Sequence, residues 1–157
     1  KSPAVFNEVK LKWFNKEQYD FIFERVPRLC VDLVICAEEG VLLSLRAIDP
    51  YKGFWHLPGG MVYKGETLLE VAQRIAKQET NLDISVKETL GYIEYLHEVQ
   101  DGKERHSVSV ALRVETISCE LKNDFQSTEL RYFSSIPERT WPEQKEFLEK
   151  HNILKSS

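Results

Sequence analysis

The sequence predicts an α+β fold in which a mixed β-sheet carries helices on its faces. Its predicted elements follow one another as helix, strand pair, helix, strand pair, strand and helix, an order typical of a domain built from layers of sheet and helix. The chain has 157 residues, about the size of one domain. We therefore expect residues 1–157 to form a single domain, with an N-terminal helical extension over residues 1–27.

The first predicted helix carries a capping signature at its start. Asn15 precedes the segment KEQYDFIFERV, in which Gln18 occupies the third helical position. An Asn at the cap and a Gln three residues later accept hydrogen bonds from each other's backbone N–H groups. Pro27 ends the pattern because proline lacks the N–H that a helix needs. The sequence thus predicts a helix from Lys16 to Val26.

Five segments have the β-branched and aromatic composition of strands. They are Leu29–Ala37, Val41–Arg46, Thr89–Val99, Arg105–Glu115 and Glu129–Phe133. The third and fourth flank the dipeptide Asp101-Gly102, which favours a tight hairpin because both residues tolerate a positive φ. Between the second strand and the next helix, the segment HLPGG at residues 56–60 interrupts regular structure.

Two further helices are predicted from apolar periodicity and proline placement. The segment Thr67–Thr80 has one apolar stripe, and Pro142–Lys150 has proline at the first helical position. The stripe consists of Leu68, Val71, Ala72, Ile75 and Ala76.

Composition excludes several classes of function. The net charge is 21 − 25 = −4, which argues against a protein that binds nucleic acid or anionic membranes through a basic face. No segment approaches the ~18 apolar residues needed to cross a bilayer, and the charged N-terminus lacks a signal-peptide core. The three cysteines, Cys30, Cys36 and Cys119, match no zinc spacing. We expect free thiols and a cytoplasmic protein.

Two features indicate a ligand site. Gly59 and Gly60 allow the backbone to approach a ligand closely, and the following helix presents Gln78 and Glu79 beside Ile75. A hard cation such as Mg²⁺ could take the Glu79 carboxylate, a backbone carbonyl and phosphate oxygens. Asp32 interrupts an apolar strand, so its carboxylate needs a partner or a pocket. A capped core helix with a solvated polar face explains the helical residues without any ligand.

The segment GMVYKGETLLEVAQRIAKQETNL resembles the Nudix box, G-x5-E-x7-R-E-U-x-E-E-x-G-U, in which U is aliphatic. GFWHLPGG before it is also similar to the usual lead-in. The resemblance places the box at residues 60–82 and implies a Nudix-type α/β/α sandwich with a mixed β-sheet. It also implies a hydrolase that uses Mg²⁺, with Mn²⁺ as an alternative. The matching residues are Gly60, Glu66, Arg74, Ala76, Glu79 and Leu82.

Three box positions differ from the family pattern. Ile75 and Gln78 stand where typical members have carboxylates, and Asn81 replaces the box glycine. In those members the carboxylates hold two or three metals and help to activate water at phosphorus. Here Glu79 and the Gly60 carbonyl remain for about one ion, and we expect Glu66 and Arg74 to have structural roles.

Within the family, the chain resembles the GDP-mannose mannosyl hydrolases, which tolerate a reduced box. The opening segment YDFIFERVPRLCVDLVI is similar to theirs. The resemblance implies hydrolysis of a nucleotide sugar at its anomeric carbon by a homodimer. It assigns Asp32 and Arg46 to catalysis and substrate binding, with Arg46 near the phosphates, and His106 to the general base. Arg105 stands where those relatives have a metal ligand.

Several alternatives remain open at this stage. His97 and His56 are the other candidate bases. Tyr92, Trp13 or Tyr95 could stack on the nucleobase, or these rings could pack in the core. The reaction could instead be cleavage at phosphorus, or the domain could bind a nucleotide without turning it over. The missing carboxylates and Arg105 favour this binding domain, whereas Asp32, Arg46 and His106 favour the sugar hydrolase.

Overall fold

The computed structural model of the protein describes residues 14–47, 51–117 and 129–157. Three helices and seven strands occur in these ranges. The helices are α1 (Lys16–Phe23), α2 (Leu68–Thr80) and α3 (Pro142–Lys150). The strands are β1 (Arg28–Ala37), β2 (Gly40–Leu45), β3 (Trp55–His56), β4 (Gly59–Met61), β5 (Ile84–Gln100), β6 (Lys103–Thr116) and β7 (Glu129–Phe133).

The sheet is mixed, and β1 is its central strand. β1 runs parallel to β6 over nine residue pairs, from Arg28↔Ser107 to Cys36↔Glu115. β6 is antiparallel to β5, and the turn between them has positive φ at both Asp101 and Gly102. The tight hairpin predicted from this Asp-Gly pair is therefore confirmed.

The other edge of β1 is divided between two strands. β2 pairs with β1 only at Cys36↔Val41 and Ala37↔Gly40, after which it pairs with β3 and β7. Further back along β1, β4 pairs with it from Cys30 to Asp32. The sheet thus opens between β1 and β2. The connection between β3 and β4 enters this opening, where the Leu33 N–H donates to the Pro58 carbonyl at 2.8 Å.

Helices cover both faces of the sheet. Val71, Ile75 and other apolar residues of α2 pack on the face that carries Val31 and Leu33. Leu148 of α3 packs on the opposite face, which carries Val34 and Leu43. The predicted α+β sandwich with a mixed sheet is confirmed.

Ion pairs hold α1 against one end of the sheet. Arg105 on β6 is 1% exposed and donates to Asp20 of α1 at 2.5 Å. Arg28 on β1 is also buried, and it bonds the Tyr19 hydroxyl at 2.9 Å and Glu98 at 2.9 Å. Burying two guanidinium groups requires such partners, because an unpaired buried charge is costly.

Several element boundaries differ from the predictions. The capping box at Asn15 and Gln18 is present, but α1 ends at Phe23 rather than Val26. The N–H groups of Arg25 and Val26 both bond the Ile22 carbonyl, which closes a turn before Pro27. β5 begins five residues earlier than predicted, at Ile84.

The HLPGG segment does more than interrupt regular structure, because the two short strands β3 and β4 lie at its ends. Their pairing depends on β1 and β2, which are distant in sequence. Cys30 and Cys36 are free and half-buried, and Cys119 lies outside the described residues. Within the described ranges, no helix is long and apolar enough to cross a lipid bilayer.

Substitution of Ile75 tests how much a charge at this box position lowers the stability of the fold. The isoleucine is 2% exposed among apolar neighbours, so Ile75→Glu should lower the free energy of unfolding by about 1–3 kcal/mol. Gln78→Glu adds the same charge at an exposed position of the same helix and should change stability by less than about 0.5 kcal/mol. Urea denaturation measures both variants, and equal stability of the two would contradict this packing.

Candidate functional site

The site is built around residues 57–60, which we call the glycine turn. The register places Gly59 opposite Asp32. A side chain at Gly59 would collide with the Asp32 Oδ1 atom and with the Val31 carbonyl. The backbone of the turn therefore lies directly against the Asp32 carboxylate, an approach that only glycine allows.

Asp32 is 7% exposed, and its carboxylate has a specific partner. Burial raises the pKa of Asp32 to about 6, while a hydrogen bond from the Tyr95 hydroxyl to Oδ2, at 2.7 Å, opposes that rise. The Ser109 hydroxyl of β6 is buried without a hydrogen-bond partner among the described residues, so the geometry gives Asp32 its bond from Tyr95. Tyr95 is thus the partner that a carboxylate in this strand requires, and its hydroxyl is committed to Asp32 in the core.

The hydrogen bonding continues from Tyr95 to the C-terminal helix. Gln144 of α3 donates from Nε2 to the Tyr95 hydroxyl at 3.0 Å. Its Oε1 accepts from the Leu57 N–H at 2.7 Å. We call Asp32, Tyr95, Gln144 and the Leu57 N–H the buried hydrogen-bond chain. It begins and ends at the glycine turn.

Trp141, immediately before α3, brings several side chains together near the turn. Its ring centroid lies 5.0 Å from that of Tyr51, 6.1 Å from that of His56 and 6.3 Å from that of Tyr95. The Arg46 guanidinium carbon lies 5.4 Å from the ring centroid, within cation–π range. Trp141, Tyr51, His56 and Arg46 form what we call the Trp141 cluster.

His56 in this cluster is suited to accept a proton. Burial lowers the pKa of His56, and the nearby positive charge of Arg46 lowers it further, against a hydrogen bond to the Leu57 carbonyl that raises it. That carbonyl can only accept, so Nδ1, at 2.9 Å, carries the ring proton. The neutral imidazole then has an unprotonated Nε2.

Glu66 and Arg74 form a structural pair beside the start of α2. The Arg74 guanidinium donates to both Glu66 oxygens, at 2.7 and 2.9 Å, and to the Met61 carbonyl at 2.8 Å. Glu66 also accepts from the Tyr63 N–H at 2.8 Å. These bonds fold the segment between the glycine turn and α2, in keeping with the structural roles expected for both residues.

The side chains near Gly60 limit how many metal ligands the protein can supply there. A side chain added at Gly60 would come within 3.3 Å of the Ile75 terminal methyl, so hydrocarbon fills this box position beside the turn. Across the described residues, no group of three or more His, Cys, Asp or Glu side chains could hold an ion. Ile75 cannot ligate a metal, so the described residues offer fewer side-chain ligands here than the family pattern provides. That Glu79 and the Gly60 carbonyl hold one ion, with the remaining ligands supplied by a substrate, stays a prediction.

The structure does not bring every predicted site residue together. Arg28 bonds Ser107 on the face of the sheet that carries Asp32, and side chains alternate along β6. His106 therefore points to the opposite face from Asp32, and its Nε2 is buried without a partner among the described residues. His97 is exposed and pairs with Glu104 in the β5–β6 hairpin.

Tyr92, a candidate for stacking on a nucleobase, lies on β5 opposite Val110 of β6 and is 66% exposed. Because side chains alternate along a strand, Tyr92 points away from the face that carries Ile93 and Tyr95. It therefore lies on the other face of the sheet from Asp32, and its contact with a nucleobase stays a prediction. Trp13 lies outside the described residues.

Sequence reasoning missed three residues of the site: Gln144, Trp141 and Tyr51. Trp141 precedes Pro142 at the N-cap of α3, where it makes no side-chain capping bond. Small polar residues are the usual choice at such a position. A large aromatic residue there was the available signal that its side chain has another role. Gln144 gave no comparable signal, because its partners are remote in sequence.

Comparisons with known proteins decide the family. The chain matches the NUDIX domain over residues 26–153. The chain belongs to the Nudix family. A Nudix hydrolase is thus the general assignment, and the family acts on small nucleotide-derived substrates.

Curated relatives and solved structures agree with this assignment. The chain is 32% identical over 136 residues to the low-salt glycan biosynthesis protein Agl8 of Haloferax volcanii, covering 85% of this chain and 87% of that protein. It is 33% identical over 122 residues to an ADP-ribose pyrophosphatase of Methanocaldococcus jannaschii, covering 76% and 70%. The MutT protein from Methanosarcina mazei Go1 has the same fold, with a TM-score of 0.67 at 20% identity, over 82% of this chain and 95% of that one.

The two glycines of the turn provide a matched test of this geometry. Gly59→Ala should lower the free energy of unfolding by about 1–3 kcal/mol, because the new methyl group would overlap Asp32 and the rigid Val31 backbone. Gly60→Ala meets only the flexible end of Ile75 and should cost less than about 1 kcal/mol. Thermal and urea unfolding of both variants checks the order, and a larger loss for Gly60→Ala would contradict it.

Proposed function

We propose that this Nudix hydrolase cleaves a nucleoside diphosphate sugar at the anomeric carbon of the sugar. The observation that carries the proposal is the contrast between the two sides of the glycine turn. On one side, buried Ile75 replaces a metal-binding carboxylate. On the other, the Trp141 cluster lies beside the buried Asp32 carboxylate through its contact with Tyr95. GDP-mannose is the probe that the sequence resemblance suggests.

The names of the two curated relatives support a nucleoside diphosphate derivative as the substrate. One is named for glycan biosynthesis, and the other for ADP-ribose, whose diphosphate is attached to C5 of the second ribose rather than to its anomeric carbon. The second name also favours a rival reaction, hydrolysis of the pyrophosphate at phosphorus. A nucleotide-binding domain without turnover is the third possibility.

Arg46 is proposed to bind the diphosphate. Its backbone is fixed by two hydrogen bonds, from its N–H to the Phe54 carbonyl at 2.8 Å and from the Gly53 N–H to its own carbonyl at 2.9 Å. A guanidinium held at this position can neutralise the charge that develops on a departing diphosphate. A divalent ion bound by Glu79 and the Gly60 carbonyl would supply further charge neutralisation.

His56 is proposed as the general base in place of His106, because it belongs to the Trp141 cluster. Its unprotonated Nε2 takes a proton from water, whose oxygen bonds to the anomeric carbon. The bond from that carbon to the diphosphate breaks, and its electron pair leaves with the phosphate oxygen. The Asp32 carboxylate stabilises the oxocarbenium-like charge on the sugar.

Hydrolysis of GDP-mannose in ¹⁸O-labelled water tests the bond that is cleaved. Attack at carbon places the label in mannose and leaves GDP unlabelled. Label in a phosphate product would support the pyrophosphatase reaction and overturn ours. If the chain binds a nucleotide but hydrolyses no member of a panel of nucleoside diphosphate sugars, the result would support a nucleotide-binding domain without turnover.

Substitution of each histidine tests the base. His56→Gln should reduce kcat by roughly 10²–10⁴-fold, the loss expected for a general base, with little change in KM. His97→Gln is the control, because His97 is exposed in the distant hairpin. A loss confined to His106→Gln would return the role to His106.

Glu79 tests the metal proposal. We expect about one Mg²⁺ or Mn²⁺ to bind per chain when a nucleotide is present, since the protein supplies few ligands. Glu79→Gln should weaken this binding and reduce turnover, while Glu70→Gln, at an exposed position in the first turn of α2, should have little effect. Calorimetric titration with each ion measures the stoichiometry, and tight binding of two ions without nucleotide would contradict the proposal.

The homodimer also remains a proposal, which rests on the resemblance to the GDP-mannose mannosyl hydrolases. Sedimentation of the full chain measures its oligomeric state, and a monomer would contradict the dimer without changing the proposed chemistry.

A further inference from the structure

The Leu57 N–H fixes which group donates and which accepts in every bond of the buried hydrogen-bond chain. The Leu57 N–H can only donate, so the atom of Gln144 that faces it must be Oε1. The other amide atom, Nε2, therefore donates to Tyr95. With its oxygen accepting from Gln144, the Tyr95 hydroxyl gives its single hydrogen to Asp32 Oδ2.

This polarity distinguishes the two oxygens of Asp32. Oδ2 faces a donor, so it acts as an acceptor in either protonation state. Oδ1 is the oxygen against which a side chain at Gly59 would collide. Oδ1 is therefore the atom that can gain or lose a proton, and it lies at the glycine turn.

A purely structural explanation would favour apolar residues at these positions. Tyr95 is 5% and Gln144 4% exposed, in contact with an apolar cluster that includes Phe147. Buried polar groups are costly unless every member is satisfied, and apolar groups of the same shape often serve stability equally well. Gln144 lies three residues after Trp141 and reaches Asp32 only through Tyr95, which also lies beside the Trp141 ring.

We infer that Tyr95 and Gln144 are positioning residues, which hold Asp32 with Oδ2 as a fixed acceptor and Oδ1 as its proton-exchanging atom at the glycine turn. The consequence for catalysis rests on the proposed function, in which Asp32 acts on the sugar. The positioning itself is a property of the free protein.

Two variants and one control test the inference. Tyr95→Phe removes the donor to Oδ2. Gln144→Glu keeps the size of the side chain, but its second oxygen competes with Asp32 for the Tyr95 hydrogen. Leu148→Met, one turn further along α3 in the core, perturbs packing without touching the chain of hydrogen bonds.

The primary measurement is the titration of the Asp32 carboxyl carbon by NMR in the full chain without substrate, assigned with Asp32→Asn. Loss of a hydrogen bond to the charged form should raise the pKa of Asp32 by about one unit or more in Tyr95→Phe and Gln144→Glu. The Leu148→Met titration should match that of the unaltered chain. Tyr95 and Glu98 are the titratable groups that act on Asp32, and Glu98 is unchanged in all variants. Because Gln144→Glu adds a carboxyl whose own charge also raises the pKa of Asp32, Tyr95→Phe, which adds no charge, carries the test.

The kinetic consequence is a shift of the acid limb of kcat to higher pH by the same amount, with KM little changed. Asp32 titrations that remain unchanged in both variants would overturn the inference. Shifted titrations support the positioning even if the unaltered chain hydrolyses no nucleoside diphosphate sugar, in which case the proposed function alone fails.

Discussion

A carboxylate buried in the central strand is the constraint on which this site depends. Asp32 interrupts an apolar strand and faces the core, so its charge requires compensation within the protein. Tyr95 supplies the hydrogen bond, Gln144 orients Tyr95, and the backbone of the glycine turn closes against the carboxylate. The positions of β1, β5, α3 and the turn are thereby linked through one side chain.

The glycine turn separates two chemically different environments. Toward α2, Gly60 packs on the hydrocarbon of Ile75, and the Glu66–Arg74 pair orders the following segment. Toward α3, Gly59 approaches a polar network with Arg46 and His56 nearby. Isoleucine thus replaces one box carboxylate on one side of the turn, and the Trp141 cluster and Asp32 lie on the other side. The proposed reaction rests on this division, because it gives Arg46 and His56 functions that a metal cluster would otherwise supply.

Ion pairs and hydrogen bonds of the described residues join the N-terminal helix to the sheet. Arg105 occupies the position at which the resembling enzymes have a metal ligand, and here it bonds Asp20 of α1. The same residue thus acts as a structural contact.

The sequence by itself determined the three helices, the Asp101-Gly102 hairpin and five of the seven strands, because these depend on local periodicity, caps and turns, whereas β3 and β4 form only by pairing with distant strands. It also determined the family, since the box spacing survives the loss of carboxylates at Ile75 and Gln78. Tertiary structure decided which histidine lies near Arg46, because strand alternation directs His106 to the opposite face while the pairing of β3 with β2 places His56 beside Trp141 and Arg46. It also decided the partners of Asp32, since Tyr95 is 63 residues away in sequence and Gln144 farther still, and only the packing of α3 on the sheet brings them together.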